Sequence, residues 1–325
     1  MFDNGSSATR GHRPSIGALF ASGYGSSVRG AMALATDMEG SGMPKVLSRA
    51  DIEQFERDGY TGPVQALSAD EVKTYRSRLE NFEARYPEHV KKLKSKSHLL
   101  CPWVLEIAEH PRILDVFEDL LGPNILCWSM AWRIKKPDGQ TFAGWHQDTA
   151  YGGVKPLLAF GALAFSECSE REGCLRVVPG SHKWDVLPHA DTEDPKSILA
   201  RGQYITADFD KSNIVDLALR PGEMALINNA IVHSSGTNTS TDRRIMLLVE
   251  MMATHAYHVN FRDSALLVRG IDTHHNFDID PRPDAEFSPA AQANWKQAID
   301  RRAKIIFAGS QLAPSEAYGG TRPAT

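Results

Sequence analysis

Trp145-His146-Gln147-Asp148 sets an imidazole and a carboxylate two residues apart. On an extended segment, residues i and i+2 face the same way, so these two side chains converge on one point. A second imidazole, His233, comes far downstream, and Arg244 follows it by eleven residues. For His233 to reach the same point, its strand must lie against the first. A jelly roll, with its strands folded face to face, supplies that geometry.

The sequence around this stretch reads as strands. Ile125–Ile134, Phe160–Ser166, Cys174–Val178, Val215–Leu219, Met224–Ile227 and Ile245–Met251 are apolar or alternating runs. They are punctuated by turn signals such as Lys136-Pro137-Asp138-Gly139, Pro179-Gly180 and Arg220-Pro221-Gly222. Upstream the pattern is helical. Ser48/Asp51 and Ser68/Glu71 have capping-box spacing, and Pro111 opens a helix that Gly122-Pro123 ends. A polar insertion from His189 to Ser212 is long for a hairpin, a length that often carries lids or substrate contacts. A last helix is expected around Ala290–Ile306. The reading is mainly β with flanking helices: a double-stranded β-helix (jelly-roll, cupin-like) core at about 125–255 behind an N-terminal helical region. It sits in a single domain over 45–310. Residues 1–44, rich in Gly, Ser and Ala, read as a disordered extension, and 311–325 as a flexible tail.

Composition narrows the function classes. The 325 residues carry a net charge of −4, which provides no basic field for nucleic acid. Apolar runs are too short to span a membrane. The four cysteines, Cys101, Cys127, Cys168 and Cys174, form no C-x-x-C pair. That favours a reducing compartment, and a cytoplasmic location is expected. The expected partner is a small-molecule substrate, with the oligomeric state left open.

Two imidazoles, one carboxylate and open positions are the ligand set of non-haem Fe(II) oxygenases. An arginine beyond the distal histidine suits a dicarboxylate co-substrate, because a guanidinium grips a carboxylate through paired hydrogen bonds. The same three ligands also suit a zinc hydrolase, and a jelly-roll binding protein without turnover is a further alternative. Other residues are read more plainly. His182 is a turn residue and His274-His275 a surface pair. Arg133, Lys135 and Lys136 read as a solvated strand end, with an anionic substrate facing them as the alternative. Trp128 and Trp132 alternate on one strand face, as core residues or pocket walls. Tyr151, Trp132 and Asn229 are candidate substrate contacts.

From about Gly144 to Val249 the chain resembles the phytanoyl-CoA hydroxylase family of Fe(II)/2-oxoglutarate dioxygenases. The resemblance rests on Trp145–Tyr151, on Glu172-Gly173-Cys174-Leu175 with Pro179-Gly180-Ser181-His182, and on Arg220-Pro221-Gly222-Glu223. It continues through His233–Asn238 and Arg243-Arg244. The resemblance implies Fe(II), 2-oxoglutarate and O2 as cofactor and co-substrates. It makes His146, Asp148 and His233 the iron ligands, and Arg244 with Ser235 the holders of the distal carboxylate. It favours Arg244 over Arg243, since neighbouring strand residues face opposite ways. It also implies hydroxylation of a small polar metabolite, or tailoring of a secondary metabolite or carrier-tethered amino acid. Halogenating relatives have Gly or Ala at the position of Asp148, so halogenation is disfavoured. The chain departs from the family pattern at Gly152-Gly153 and near Ala162, where small residues replace aromatics and enlarge the expected pocket.

Overall fold

A computed structural model describes residues 43–150, 153–156 and 158–320. The expected 1–44 extension lies outside these residues, apart from its last two. Five α-helices are described. Arg49–Asp58 and Ala69–Arg85 start at Ser48 and Ser68, whose hydroxyls accept from the backbone of Asp51 and Glu71 while those carboxylates return to the cap. Such caps contribute about 1 kcal/mol each by satisfying amides that have no partner within the helix. Pro102–Ala108, Pro111–Leu121 and Pro289–Ile306 each place proline in the first turn, where its missing N–H costs nothing.

The strands are β1 (Tyr60–Gln65), β2 (Ile125–Lys135), β3 (Ala143–His146), β4 (Val154–Lys155) and β5 (Leu158–Ala164). Next come β6 (Leu175–Val177), β7 (His189–Ala190), β8 (Tyr204–Ile205), β9 (Val215–Leu217) and β10 (Glu223–Asn228). The last are β11 (His233–Ser235), β12 (Arg244–Ala253), β13 (Tyr257–His258), β14 (Ser264–Arg269) and β15 (Asp278–Ile279). The larger sheet runs β1-β10-β5-β12-β2-β14-β15, and the smaller runs β3-β11-β6-β9. The sequence pattern does not mark β1 or β14. Pro63 interrupts β1, which lies at a sheet edge where a missing donor is tolerated.

Strand β12 shows how the core divides. Ile245, Leu247, Val249 and Met251 face the helices, in one apolar cluster with Phe82, Val104, Ile113 and Phe117. Arg244, Met246, Leu248 and Glu250 face inward and line a cavity between the sheets. A strict two-residue alternation thus separates structural core from site. Its partner β2 breaks that alternation. Ser129 pairs with Glu250 but Cys127 with Met251, so Trp128 is a bulged extra residue. Trp128 and Trp132 therefore lie on opposite faces. Trp132 packs among the helices against Trp103 and Phe165, with ring centroids 5.9 and 5.1 Å away, and is no part of the cavity wall. Trp128 lines the cavity. The expectation of one shared face, and of Trp132 as a substrate contact, is corrected by this bulge.

The end of the chain also differs from expectation. The described part of the 311–325 segment is folded against the domain, with Ala317 and Tyr318 buried and lining the cavity. The 189–212 insertion forms the β7–β8 hairpin, and Ile198, Leu199, Ala200 and Gln203 supply another wall. Arg201 pairs with Asp191 within the insertion and ties it to the C-terminal helix by donating to the Ile306 carbonyl at 3.0 Å.

Candidate metal centre and cavity

Strands β3 and β11 pair in antiparallel register with His146 opposite His233, which brings their rings to a centroid distance of 4.1 Å. Asp148 sits just past the end of β3, in a short 3-10 turn rather than on the extended strand. Its two oxygens lie 3.4 Å from His146 Nε2 and 3.7 Å from His233 Nε2. The three ligating atoms all lie within 4.8 Å of one another.

The backbone decides which nitrogens are offered. Nδ1 of His146 donates to the Gly144 carbonyl at 2.8 Å, and Nδ1 of His233 donates to the Ile231 carbonyl at 2.9 Å. A carbonyl only accepts, so both Nδ1 atoms carry a proton, and both Nε2 atoms are turned toward Asp148. Burial, with His146 close by, pushes the His233 imidazole down to about 4. Burial pushes the Asp148 carboxyl up, but the two histidines outweigh it and hold the group at about 2. At neutral pH the His233 imidazole is neutral and Asp148 is a carboxylate, and both face one point together with His146. This donor set fits a divalent iron with further positions open.

Residues that the sequence reading passed over hold the centre in place. Gln147 is fully buried and points the other way from the ligands, donating to the Ala230 carbonyl and accepting from Leu187 N. It therefore bolts the Asp148 turn to the segment carrying His233. Ser181 donates to the Val178 carbonyl and accepts from Val232 N at 2.8 Å, bracing the residue before His233. His182, as expected, is a turn residue, with Nε2 against the Glu56 carbonyl.

Arg244 is 1% exposed and reaches into the same cavity. Its Nη1 donates to the Gly173 carbonyl at 2.8 Å, while Nε has no partner among the described residues. Gly173 has φ +72, and a Cβ there would come within 2.4 Å of the Gly236 carbonyl, so the Glu172-Gly173-Cys174 turn requires glycine. Arg243, by contrast, points outward and pairs with Glu80 and Glu83. Lys135 stands opposite Arg244 in the ladder, fully buried, with Nζ 2.7 Å from Ser235 Oγ. Burial, reinforced by the charge of Arg244, pushes its amine down to about 6. The reading of Arg133 and Lys135 as a solvated strand end is thus overturned. β2 extends to Lys135, and the register turns it inward, while Arg133 lines the cavity with Lys94. A buried guanidinium with an orphaned donor, facing an amine that burial tends to discharge, suits an anionic group beside Ser235. Asn229 also lines the cavity. Tyr151 lies outside the described residues.

Fold and site together define a jelly-roll protein with an open two-histidine, one-carboxylate centre and a buried arginine beside it. The family model "Phytanoyl-CoA dioxygenase (PhyH)" matches residues 55–246, and the chain belongs to that family. Among curated proteins, a probable alpha-ketoglutarate-dependent hypophosphite dioxygenase of Stutzerimonas stutzeri is 30% identical over 59% of this chain and 70% of its own length. A probable phytanoyl-CoA dioxygenase of Caenorhabditis elegans is 24% identical over 59% of this chain and 71% of its own. Among solved structures, the non-heme monooxygenase ThoJ in its apo form aligns with a TM-score of 0.72 and 29% identity. That alignment spans 80% of this chain and 98% of that one.

Proposed function

We propose that this protein is an Fe(II)- and 2-oxoglutarate-dependent dioxygenase that hydroxylates an unactivated C–H bond of a small metabolite. The carrying observation is that His146 Nε2, His233 Nε2 and Asp148 share one cavity with Arg244 and its unpartnered Nε. His146, Asp148 and His233 would hold the iron. Arg244 would grip the distal carboxylate of 2-oxoglutarate, with the Ser235 hydroxyl as second donor and Lys135 behind it orienting that hydroxyl. Iron with 2-oxoglutarate supplies the oxidising power, coupling reduction of O2 to release of succinate and CO2.

The protein's own contribution is placement and exclusion. The backbone carbonyls of Gly144 and Ile231 fix both imidazole rings, and Gln147 holds the Asp148 turn in register with them. Val154, Leu158, Phe160 and Met246 keep the wall apolar, so that the reactive site stays dry. The carboxylate of Asp148 occupies the position that halogenating relatives leave to chloride, which supports hydroxylation. The buried, unpaired cysteines fit a reducing cytoplasm. No described helix is long and apolar enough to cross a membrane.

Anaerobic addition of 2-oxoglutarate to the Fe(II)-loaded protein tests the reading through the weak visible charge-transfer band of an iron–keto acid chelate. The band is expected in the wild type and lost in Asp148→Ala. Iron bound tightly without any band would favour a hydrolase or binding role.

A further inference from the structure

Arg302 lies on the C-terminal helix Pro289–Ile306, outside every motif discussed above, yet its side chain lines the same cavity as the iron ligands. It is 5% exposed. Nη2 donates to Glu250 Oε2 at 2.8 Å, and the guanidinium carbon stands 3.9 Å from the centre of the Trp128 ring. Nε and Nη1 have no hydrogen-bond partner among the described residues. The plane of the group is fixed by one ion pair and one aromatic ring, while half its donors point at nothing in the protein. A guanidinium so arranged can offer an oxyanion a forked contact only by pairing an unpartnered N–H with the second hydrogen of Nη2, the first being held by Glu250.

The charge of the cavity wall agrees. Setting aside the metal ligands, and Arg244 with its dicarboxylate, the charged lining residues described are Lys94, Arg133, Arg302 and Glu250. Burial, with Arg133 and Lys91 nearby, lowers the Lys94 amine to about 8, which leaves it largely protonated at neutral pH. Even with Lys94 left out of the count, Arg133 and Arg302 outnumber the one carboxylate, and a positive surplus in a space of low dielectric favours an anionic guest. Arg244 and Glu250 stand at opposite ends of the inward row of β12, roughly 20 Å apart in strand rise. A co-substrate held at Arg244 therefore leaves the Arg302 end open. Between the ends, Leu158, Phe160 and Leu248 offer apolar surface to a carbon skeleton.

We propose that Arg302 is a specificity-determining residue, and that the substrate is a small organic oxyanion, a carboxylate or a phosphonate, whose charged end docks there. This deepens the dioxygenase reading and rests on it. Glu250 and Trp128 hold the guanidinium, and the anion takes N–H donors that Glu250 leaves unused.

The test uses the anaerobic Fe(II) and 2-oxoglutarate complex, so that the Arg244 end is filled. Propionate, methylphosphonate, neutral propionamide and cationic propylamine are titrated against the thermal midpoint. The two oxyanions should stabilise the wild type while the amide and amine do not, and the stronger of the two assigns the head group. Arg302→Gln alone leaves Glu250 unpaired and can unfold the chain, so Glu250→Gln/Arg302→Gln and the charge-preserving Arg302→Lys accompany it. The double variant should lose affinity for the oxyanion at least about tenfold, and the lysine variant less, because a point charge cannot make the forked contact. The visible band should be unchanged in both. A purely structural arginine would lower the midpoint of each variant without altering its response to oxyanions. That result, or a wild type that does not prefer oxyanions to the amide, overturns the proposal. A wild type lacking the band would break the dioxygenase reading separately, and the same titrations of the metal-free protein would still decide Arg302.

Discussion

The two ends of the inward row of β12 are built by different means. At the Arg244 end, the candidate metal ligands come from two paired strands and the turn beyond one of them, each histidine ring tied to a carbonyl two residues before it. At the Glu250 end, the side chains come from the middle of β2, the far part of β12, the last helix and the segment beyond it. Trp128, Glu250, Arg302 and Tyr318 share no local sequence pattern. They meet only because β2 carries a bulge and the C-terminal helix docks across the sheet. The first end is rigid through short-range hydrogen bonds and serves one chemistry. The second depends on distant packing and can change without disturbing the first.

Predictions follow from that contrast, and the largest effects belong to the locally built end. His146→Ala or His233→Ala should lower 2-oxoglutarate-dependent turnover at least ~1,000-fold, because a ligand of the set is lost. The metal-free fold should survive, since the strand pairing remains. Succinate release measured beside a circular dichroism spectrum separates the two effects. Turnover within tenfold of wild type would remove these residues from the metal centre. Arg244→Met should be milder, raising the KM for 2-oxoglutarate by ~10–100-fold, the worth of one charge-assisted pair. An unchanged KM would place the co-substrate elsewhere.

The uneven legibility of the two ends has a physical cause. His146, Asp148, His233 and Arg244 could be read because the chemistry needs those residue types, although strand pairing brings His146 to His233 while Asp148 joins them from a 3-10 turn and not through the two-residue period. The period failed at Trp132, where one inserted residue in β2 reversed the facing of everything beyond it, and nothing in the local sequence marks that bulge. It failed differently at Lys135. Composition suggested a solvated lysine, but pairing with Arg244 across the ladder buries it. Gln147 was passed over because its role, joining Ala230 and Leu187, exists only in three dimensions. Arg302 was invisible for the same reason. The polar insertion at 189–212 and the segment after residue 310 read as loops by composition. The insertion is tied to the end of the C-terminal helix and the turn after it by Arg201 on the Ile306 carbonyl and Ser310 on Asp191.

His98 tests burial remote from the iron ligands. It is fully buried, and neither ring nitrogen has a partner among the described residues. Burial, with Lys96 and Arg302 adding to it, pushes the imidazole down to about 3. Between its ordinary value near 6.5 and about 3, the unfolded chain binds a proton that the folded chain does not. Stability contributed by neutral His98 is therefore present above that window and lost as pH falls through it. His98→Leu should flatten acid destabilisation by an amount on the order of a few kcal/mol, read from urea midpoints between pH 7 and 4. An equal acid slope in both proteins would show that another group carries it.

The smallest effect comes from the neighbour of Arg244. Arg243 faces outward from the domain and pairs with Glu80 and Glu83 on the helix Ala69–Arg85. Its ion pairs are partly solvated, so Arg243→Ala should cost at most about 1 kcal/mol of stability. It should leave the KM for 2-oxoglutarate within twofold of wild type. Because the two arginines are adjacent and equally charged, the pair of substitutions holds composition nearly constant and varies only the face of the strand. A rise in KM from Arg243→Ala as large as that from Arg244→Met would mean that long-range charge draws in the co-substrate. In that case Arg244 would owe its effect to field rather than to placement, and added salt would raise the wild-type KM as well.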